Sequence, residues 1–180
     1  NVIKKEVLVR KEEVVQIENQ NNVELFAFGT EENIFGKYIN LTILSSKDGS
    51  RWAKYEHDDF SLHNLNSISA NGNIIVLVGD SGSIYTSKNG RKWFEIKLNT
   101  NVDFNDVISI KNKFVAVGNS GIIAFSNDAK KWKVIQTNTK ANLNGIVFGN
   151  GKYVAYGNDG KVLVSENGVN WKGNILSDFL

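Results

Sequence analysis

The chain alternates short apolar runs with turn-forming glycine and asparagine residues, and no apolar stripe of helical period competes with this pattern. Four successive runs stand out, and the second is unbroken, as in a strand that is buried on both faces. They lie at residues 64–69, 74–78, 83–87 and 92–97. An Asn-Gly pair lies between the first and second runs, at Asn71, and another between the third and fourth runs, at Asn89. Asn-Gly between such runs is the strongest short-range signal for a hairpin. We therefore predict an antiparallel sheet of four consecutive strands.

A tryptophan-containing phrase repeats along the chain. Trp52, Trp93, Trp132 and Trp171 are separated by 41, 39 and 39 residues. Each ends the phrase Ser-x-[Asp/Asn]-[Gly/Ala]-x-x-Trp. Its other members are Ser46, Asp48, Gly49, Ser87, Asn89, Gly90, Ser126, Asp128, Ser165, Asn167 and Gly168, with Ala129 in place of glycine. Gly-rich turns beginning at residues 79, 118 and 157 keep the same spacing of 39. A shared period of this length indicates an array of repeated units.

Four-stranded units of about 40 residues predict an all-β protein, a β-propeller built of antiparallel blades. We place the blades at residues 14–62, 63–101, 102–140 and 141–176, with an extra strand in residues 1–13. The first unit carries nine surplus residues, which we assign to an insertion within residues 30–40. Four blades form either a closed small ring or part of a larger one.

The composition limits the classes of partner and site that the chain can have. Lys and Arg number 21 against 19 Asp and Glu, so no broad cationic field for nucleic acid is expected. The absence of cysteine excludes disulfides and thiolate metal sites, and no apolar run is long enough for membrane insertion. We expect no cofactor and no metal. Because the chain has no methionine, we expect it to be trimmed or processed.

The repeated phrase resembles the Asp-box, or BNR repeat, of sialidases, photosystem assembly factors and many bacterial surface proteins. The phrases here are one residue shorter than the longer form of that motif. The resemblance implies a propeller whose Asp-box residues lie between strands three and four, on the rim away from the usual ligand face. It therefore implies a structural role for the serine, Asp/Asn, glycine and tryptophan positions named above. It also implies a bacterial cell-surface or secreted location.

The number and positions of the arginines argue against sialidase chemistry. The resemblance implies a sialidase site in which three arginines converge on the substrate carboxylate, and this chain has only Arg10, Arg51 and Arg91. Two of these lie inside the tryptophan hairpins. We therefore assign no catalytic residues.

One irregular, chemically mixed patch remains. In blade geometry the insertion at 30–40 and the connection at 57–63 open on the same face, and loops on a rigid scaffold commonly bind ligands. The patch comprises Glu31, Glu32, Phe35, Tyr38, His57, Asp58, Asp59, Phe60 and His63. Its residues are either solvated loop positions, a binding edge, or the carboxylate pair of a glycosidase. Asp80, Asn119, Asn158 and Asp159 recur in the Gly-rich turns, where they serve turn geometry or line a central opening.

Three hypotheses for function follow. The first is a non-catalytic binding propeller that takes a protein or carbohydrate ligand on its loop face. The second is a structural segment of a larger propeller, and the third is a glycan-active hydrolase that uses the loop carboxylates. An incomplete ring would expose blade surfaces, so we expect self-association in that case.

Overall fold

A computed structural model describes residues 13–19, 22–32, 38–55 and 65–174 of the 180-residue chain. These residues form four antiparallel sheets of four strands each, which we call blades 1 to 4. Blade 1 comprises β1 (Glu13–Asn19), β2 (Asn22–Glu32), β3 (Tyr38–Ser46) and β4 (Ala53–Tyr55). Blade 2 comprises β5 (Leu65–Ala70), β6 (Ile75–Gly79), β7 (Ile84–Ser87) and β8 (Trp93–Ile96). Blade 3 comprises β9 (Phe104–Ile110), β10 (Lys113–Gly118), β11 (Ile122–Ser126) and β12 (Trp132–Gln136). Blade 4 comprises β13 (Leu143–Gly149), β14 (Lys152–Gly157), β15 (Val162–Ser165) and β16 (Lys172–Asn174).

Within each blade, strands that are consecutive in the chain pair with one another. The prediction of four-stranded antiparallel units is therefore confirmed. The four strands predicted for the second unit agree with β5 to β8 to within two residues at each end. The extra strand predicted within residues 1–13 lies outside the described residues apart from Glu13, which begins β1.

The surplus residues of the first unit differ from the expectation. We predicted an inserted loop within residues 30–40, but most of these residues extend the β2–β3 hairpin. Thr30 pairs with Leu41, Glu31 with Asn40 and Glu32 with Tyr38, with a bulge between Glu31 and Glu32. Backbone groups in a long insertion need partners, and continued strand pairing supplies them.

Side chains on the facing sides of consecutive blades pack against one another. We call the face toward the preceding blade in the chain the backward face, and the other the forward face. Strands β6 and β10 are buried along almost their whole length because both their faces are covered. This matches the unbroken apolar runs of their sequences.

Three apolar clusters fill the spaces between consecutive blades. Between blades 1 and 2, Phe26 and Ile43 pack with Leu77, Tyr85 and Trp93. The second cluster joins Val76, Val78 and Ile84 of blade 2 to Phe104, Val107, Phe114, Ala116 and Ala124 of blade 3. The third joins Val115, Val117, Ile123 and Phe125 of blade 3 to Leu143, Ile146, Tyr153, Ala155 and Leu163 of blade 4. The core of the molecule is thus a series of inter-blade layers.

Candidate functional site

In blades 2 and 3, the turn between the second and third strands shares one end of the molecule with the connection to the next blade. In blade 2 the Asp80–Gly82 turn is held by two bonds from the following connection. The Gly82 N–H donates to the Val102 carbonyl oxygen (2.8 Å), and the Ser81 N–H donates to Asp103 Oδ1 (2.9 Å). In blade 3 the Ser120 N–H donates to Asn142 Oδ1 in the same way (3.0 Å). We call this end the turn face.

The turns are pressed closely against the connections. A Cβ added to Gly82 would lie 2.3 Å from the Thr100 carbonyl oxygen, and the backbone there has φ +77°. Both features require glycine, since a side chain would clash and positive φ is strained for other residues. This explains the Gly-rich phrases that recur every 39 residues.

A row of asparagines on the first strands lines the turn face. The Asn66 Nδ2 group donates to Asp80 Oδ1 (2.9 Å) and to the Phe104 carbonyl oxygen of the next blade (3.0 Å). The Asn105 Nδ2 group repeats this with Asn119 Oδ1 (2.9 Å) and the Leu143 carbonyl oxygen (2.8 Å). Each of these amides therefore ties a turn to the neighbouring blade.

Asp106 makes a second bridge between blades. Its Oδ1 atom accepts the Ser67 hydroxyl of blade 2 (2.8 Å), and its Oδ2 atom accepts the Ile146 N–H of blade 4 (2.9 Å). One carboxylate thus joins three consecutive blades. Asp106 and the asparagine row were not predicted from the sequence, although Asn66, Asn105 and Asn144 follow the 39-residue period and extending it would have indicated them.

The predicted binding residues are described only in part. The backbone places Glu31 and Glu32 at the end of β2 and Tyr38 at the start of β3, where Glu32 pairs with Tyr38. These three residues therefore lie together at the end of the blade 1 hairpin that corresponds to the Asp80–Gly82 turn of blade 2. Phe35, His57, Asp58, Asp59, Phe60 and His63 lie outside the described residues.

The polar residues that recur in the Gly-rich turns make hydrogen bonds within the fold or hold the turn geometry. Asp80 and Asn119 accept bonds from the asparagine row as given above, and Asn158 Oδ1 accepts the Asn144 Nδ2 group (2.8 Å). Asp159 occupies the left-handed position of its turn with φ 56°. Their geometry matches the turn role that was one of their two predicted uses.

The tryptophan hairpins occupy the opposite end of the blades, between the third and fourth strands. In the first hairpin, the Gly49 N–H donates to Ser46 Oγ (2.9 Å), and Asp48 Oδ1 accepts the Ser50 and Arg51 N–H groups at 2.8 and 3.1 Å. The tryptophan closes the loop, because Trp52 Nε1 donates to the Gly49 carbonyl oxygen (3.1 Å). Trp93, Trp132 and Trp171 make the equivalent bond.

Charge in these hairpins is stabilised by the backbone. The N–H groups of Ser50 and Arg51 lower the pKa of Asp48 to about 2. The N–H groups of Lys131 and Lys130 likewise lower the pKa of Asp128. A carboxylate that accepts two N–H groups is favoured in its charged form. Asn89 and Asn167 accept the same pairs of bonds without charge.

Over the described ranges, no cluster of three or more His, Cys, Asp or Glu side chains is arranged to hold a metal ion. In the same part of the chain, no helix is long and apolar enough to cross a membrane.

No protein-family model matches this chain, and no curated protein matches it in sequence. Solved structures do match it. YCF48 bound to D1 peptide superposes with a TM-score of 0.62 at 18% identity, over 94% of this chain and 56% of that one. The nidogen/laminin complex gives a TM-score of 0.62 at 13% identity, over 89% of this chain and 63% of that one.

Each of these neighbours is a propeller protein that matches the four sheets of this chain. This chain has the β-propeller fold. An exo-β-1,3-galactanase from Clostridium thermocellum matches more weakly, with a TM-score of 0.52 at 12% identity over 88% of this chain and 46% of that one. The propeller blades described here thus span about half to two thirds of the length of these solved chains.

Proposed function

We propose that this propeller is a non-catalytic binding module that recognises a protein or peptide segment on its turn face, beside blade 1. The observation that carries the proposal is the contact between turns and connections in blades 2 and 3. From blade geometry we predict that the insertion at 30–40 and the connection at 57–63 open on this face. This would group Glu31, Glu32 and Tyr38 with His57, Asp58, Asp59 and Phe60.

The structural neighbours support a protein or peptide ligand. One is a propeller bound to a peptide and another is a propeller within a protein complex. At 18% identity and below, the similarity to these structures shows the fold alone. The proposed binding role of this chain therefore rests on its own turn face.

Charge indicates the chemistry of the ligand. The patch contributes four carboxylates and three aromatic rings. We therefore propose a ligand segment that carries Lys or Arg next to an apolar side chain, because such a segment satisfies both features.

A selection from a displayed library of linear peptides tests this function. We expect enriched peptides to contain basic residues, and their affinity, measured by calorimetry, to fall at least tenfold for Glu31→Lys/Asp58→Lys. The matched control is Lys88→Ala/Arg91→Ala at the tryptophan-hairpin end, which should leave affinity unchanged. Enrichment of peptides that are insensitive to the first variant but lost with the second would overturn the proposal.

The resemblance to Asp-box repeats supports membership of that repeat class and a bacterial cell-surface or secreted location. The shared Ser–Asx–Trp bonding of the four hairpins adds a structural reason for grouping them with such repeats. Antibody detection in fractionated cells of the source organism tests the location. Signal confined to the cytosolic fraction would contradict it.

Glycan hydrolysis by the loop carboxylates stays a separate prediction. It requires turnover of a glycan that is abolished by Asp58→Asn or Asp59→Asn. Our proposal expects no turnover across a broad panel of β-linked oligosaccharides, including β-1,3-galactan, and binding of selected peptides that persists in the same samples.

A further inference from the structure

Blade 4 presents an apolar forward face to solvent. Strand pairing places its side chains on one side of the sheet, since Val147 pairs with Val154, Val154 with Val164, and Tyr156 with Val162. Val147 is 51% exposed and Tyr156 is 48% exposed. We call these five residues the forward face of blade 4.

Three of these positions are fully buried in the two preceding blades. Val76, Val78 and Ile84 of blade 2 and Val115, Val117 and Ile123 of blade 3 are the counterparts of Val154, Tyr156 and Val162, and all six are 0% exposed. In both cases the covering element is the backward face of the next blade. Apolar side chains at these three positions in all of the compared blades indicate that the forward face of blade 4 is also built to be covered.

Hydrogen-bonding groups at this face support the comparison. Asn66 and Asn105 each donate to the carbonyl oxygen of the following blade, whereas Asn144 bonds only to Asn158 among the described residues. The Ser81 and Ser120 N–H groups also bond to the following connection. The equivalent donor in blade 4 is the N–H of Asp159, for which the described part of the chain provides no such acceptor.

Blade 1 carries the complementary surface. Its backward face includes Leu25, Ala27 and Leu44, the counterparts of Ile75, Leu77 and Tyr85 in blade 2. Leu25 and Leu44 are half-buried, whereas their counterparts in blade 2 are buried. Trp52 of blade 1 is 37% exposed, compared with 6% for Trp93 at the covered position.

We propose that the forward face of blade 4 packs against the backward face of blade 1 of a second copy of this chain. Each inter-blade layer of this molecule joins one forward face to one backward face, and the four described blades of each copy leave one face of each kind uncovered. Head-to-tail contact between copies is a heterologous interface, and two such contacts related by a two-fold axis close the assembly. This inference does not depend on the proposed ligand.

The mass of the assembly in solution gives the first test. We expect light scattering coupled to gel filtration to give at least twice the 20.0 kDa of the single chain at micromolar concentration. Val147→Lys should reduce the mass to that of one chain. Val147 is half-exposed in the single chain, so a lysine there should disrupt the contact between copies while the blade itself still folds. The matched control is Phe94→Lys, since Phe94 is equally exposed but lies on the outer strand of blade 2.

Engineered cysteines identify the contacting faces, and the cysteine-free chain makes this test specific. Gly168 of blade 4 lies against Phe125 of blade 3, and the adjacent Val169 packs into the same layer. The corresponding positions at the proposed contact are Val164 on blade 4 and Ser50 on blade 1. A mixture of Val164→Cys and Ser50→Cys chains should therefore give a disulfide-linked heterodimer on oxidation, and Val164→Cys with Phe94→Cys should not.

Three results would overturn the proposal. A single-chain mass with an intramolecular disulfide in the Val164→Cys/Ser50→Cys double variant would show a four-blade ring that closes on itself. A single-chain mass without any disulfide would show that both faces stay uncovered. A larger mass that survives Val147→Lys and gives no Val164–Ser50 disulfide would show association through another surface.

Discussion

A single side-chain oxygen organises each hairpin between the third and fourth strands. Asp48 Oδ1 accepts two consecutive N–H groups, and Asn89 does the same in blade 2. The position therefore needs an oxygen acceptor and does not need a charge. The glycine position is similarly defined by backbone conformation, because Ala129 takes φ 58° where Gly49 takes φ 76°.

Acid should weaken the hairpins that contain aspartate. The pKa of Asp48 is lowered to about 2 because its charged form accepts backbone N–H groups. A lowered pKa contributes stability that is present above the ordinary value of about 4 and lost as the pH falls through about 2. Carboxyl chemical shifts followed by NMR should show Asp48 titrating near pH 2.

Asp48→Asn provides the control for this prediction. The variant should fold at neutral pH with the same hairpin bonds, as Asn89 and Asn167 already do. Its free energy of unfolding should fall less between pH 4 and pH 2 than that of the parent chain. An Asp48 pKa in the ordinary range near 4 would contradict the bonding described here.

Trp93 joins its hairpin to the layer between blades 1 and 2. It is buried with Phe26, Ile43 and Tyr85, and its ring nitrogen bonds to the Gly90 carbonyl oxygen. Trp93→Ala should lower the free energy of unfolding by about 3–5 kcal/mol in denaturant titrations, as for other large-to-small changes in a core.

Phe94→Ala is the matched control, since Phe94 is the next residue on the same strand and is 56% exposed. It should change the free energy of unfolding by only about 0.5 kcal/mol, as surface substitutions do. Equal effects for Trp93→Ala and Phe94→Ala would show that the tryptophan does not support an inter-blade layer.

At the level of strands and turns, periodic sequence marks predicted the blades well. Apolar runs bounded by Asn-Gly pairs located β5 to β8, because strand burial and turn geometry are local properties of the chain. The continuation of β2–β3 pairing beyond Gly29 was not anticipated, since residues 30–40 lack the periodic marks and their pairing depends on the register of the whole hairpin. The asparagine row was missed because its bonds join residues 38 positions apart.

Asn105 tests the importance of that row. Its half-buried amide donates to Asn119 and to the Leu143 carbonyl oxygen, so Asn105→Ala leaves two acceptors without their donor. We expect the free energy of unfolding to fall by about 1–3 kcal/mol. Asn112→Ala, at the exposed β9–β10 turn of the same blade, should leave it nearly unchanged. Similar losses for the two variants in urea titrations would contradict an inter-blade role for the amide.

At the level of the whole molecule, the two ends of the blades differ in kind. The tryptophan end is a set of four equivalent hairpins closed by their own bonds. At the turn face, the same short turn repeats in blades 2 to 4, whereas blade 1 has a longer hairpin. Loops on a rigid scaffold commonly carry binding residues, which is why we propose the binding surface beside this longer hairpin.

The fold could thus be inferred from the repeat, whereas the ligand could not. Repetition specifies how blades pack on one another, since the same contacts recur in each layer. The proposed recognition depends on residues that break the repeat, since Glu31, Glu32 and Tyr38 have no counterparts in the other blades against which to compare them.

The most direct test of the account is an amide chemical-shift map of the chain with a peptide selected as described above. We predict that the largest shifts fall at Glu31, Glu32, Tyr38 and the neighbouring Asp80–Gly82 turn, with little change at Trp52, Trp93, Trp132 and Trp171. Shifts centred on the tryptophan hairpins, with an unchanged blade 1 hairpin, would contradict the assignment of the turn face as the binding surface.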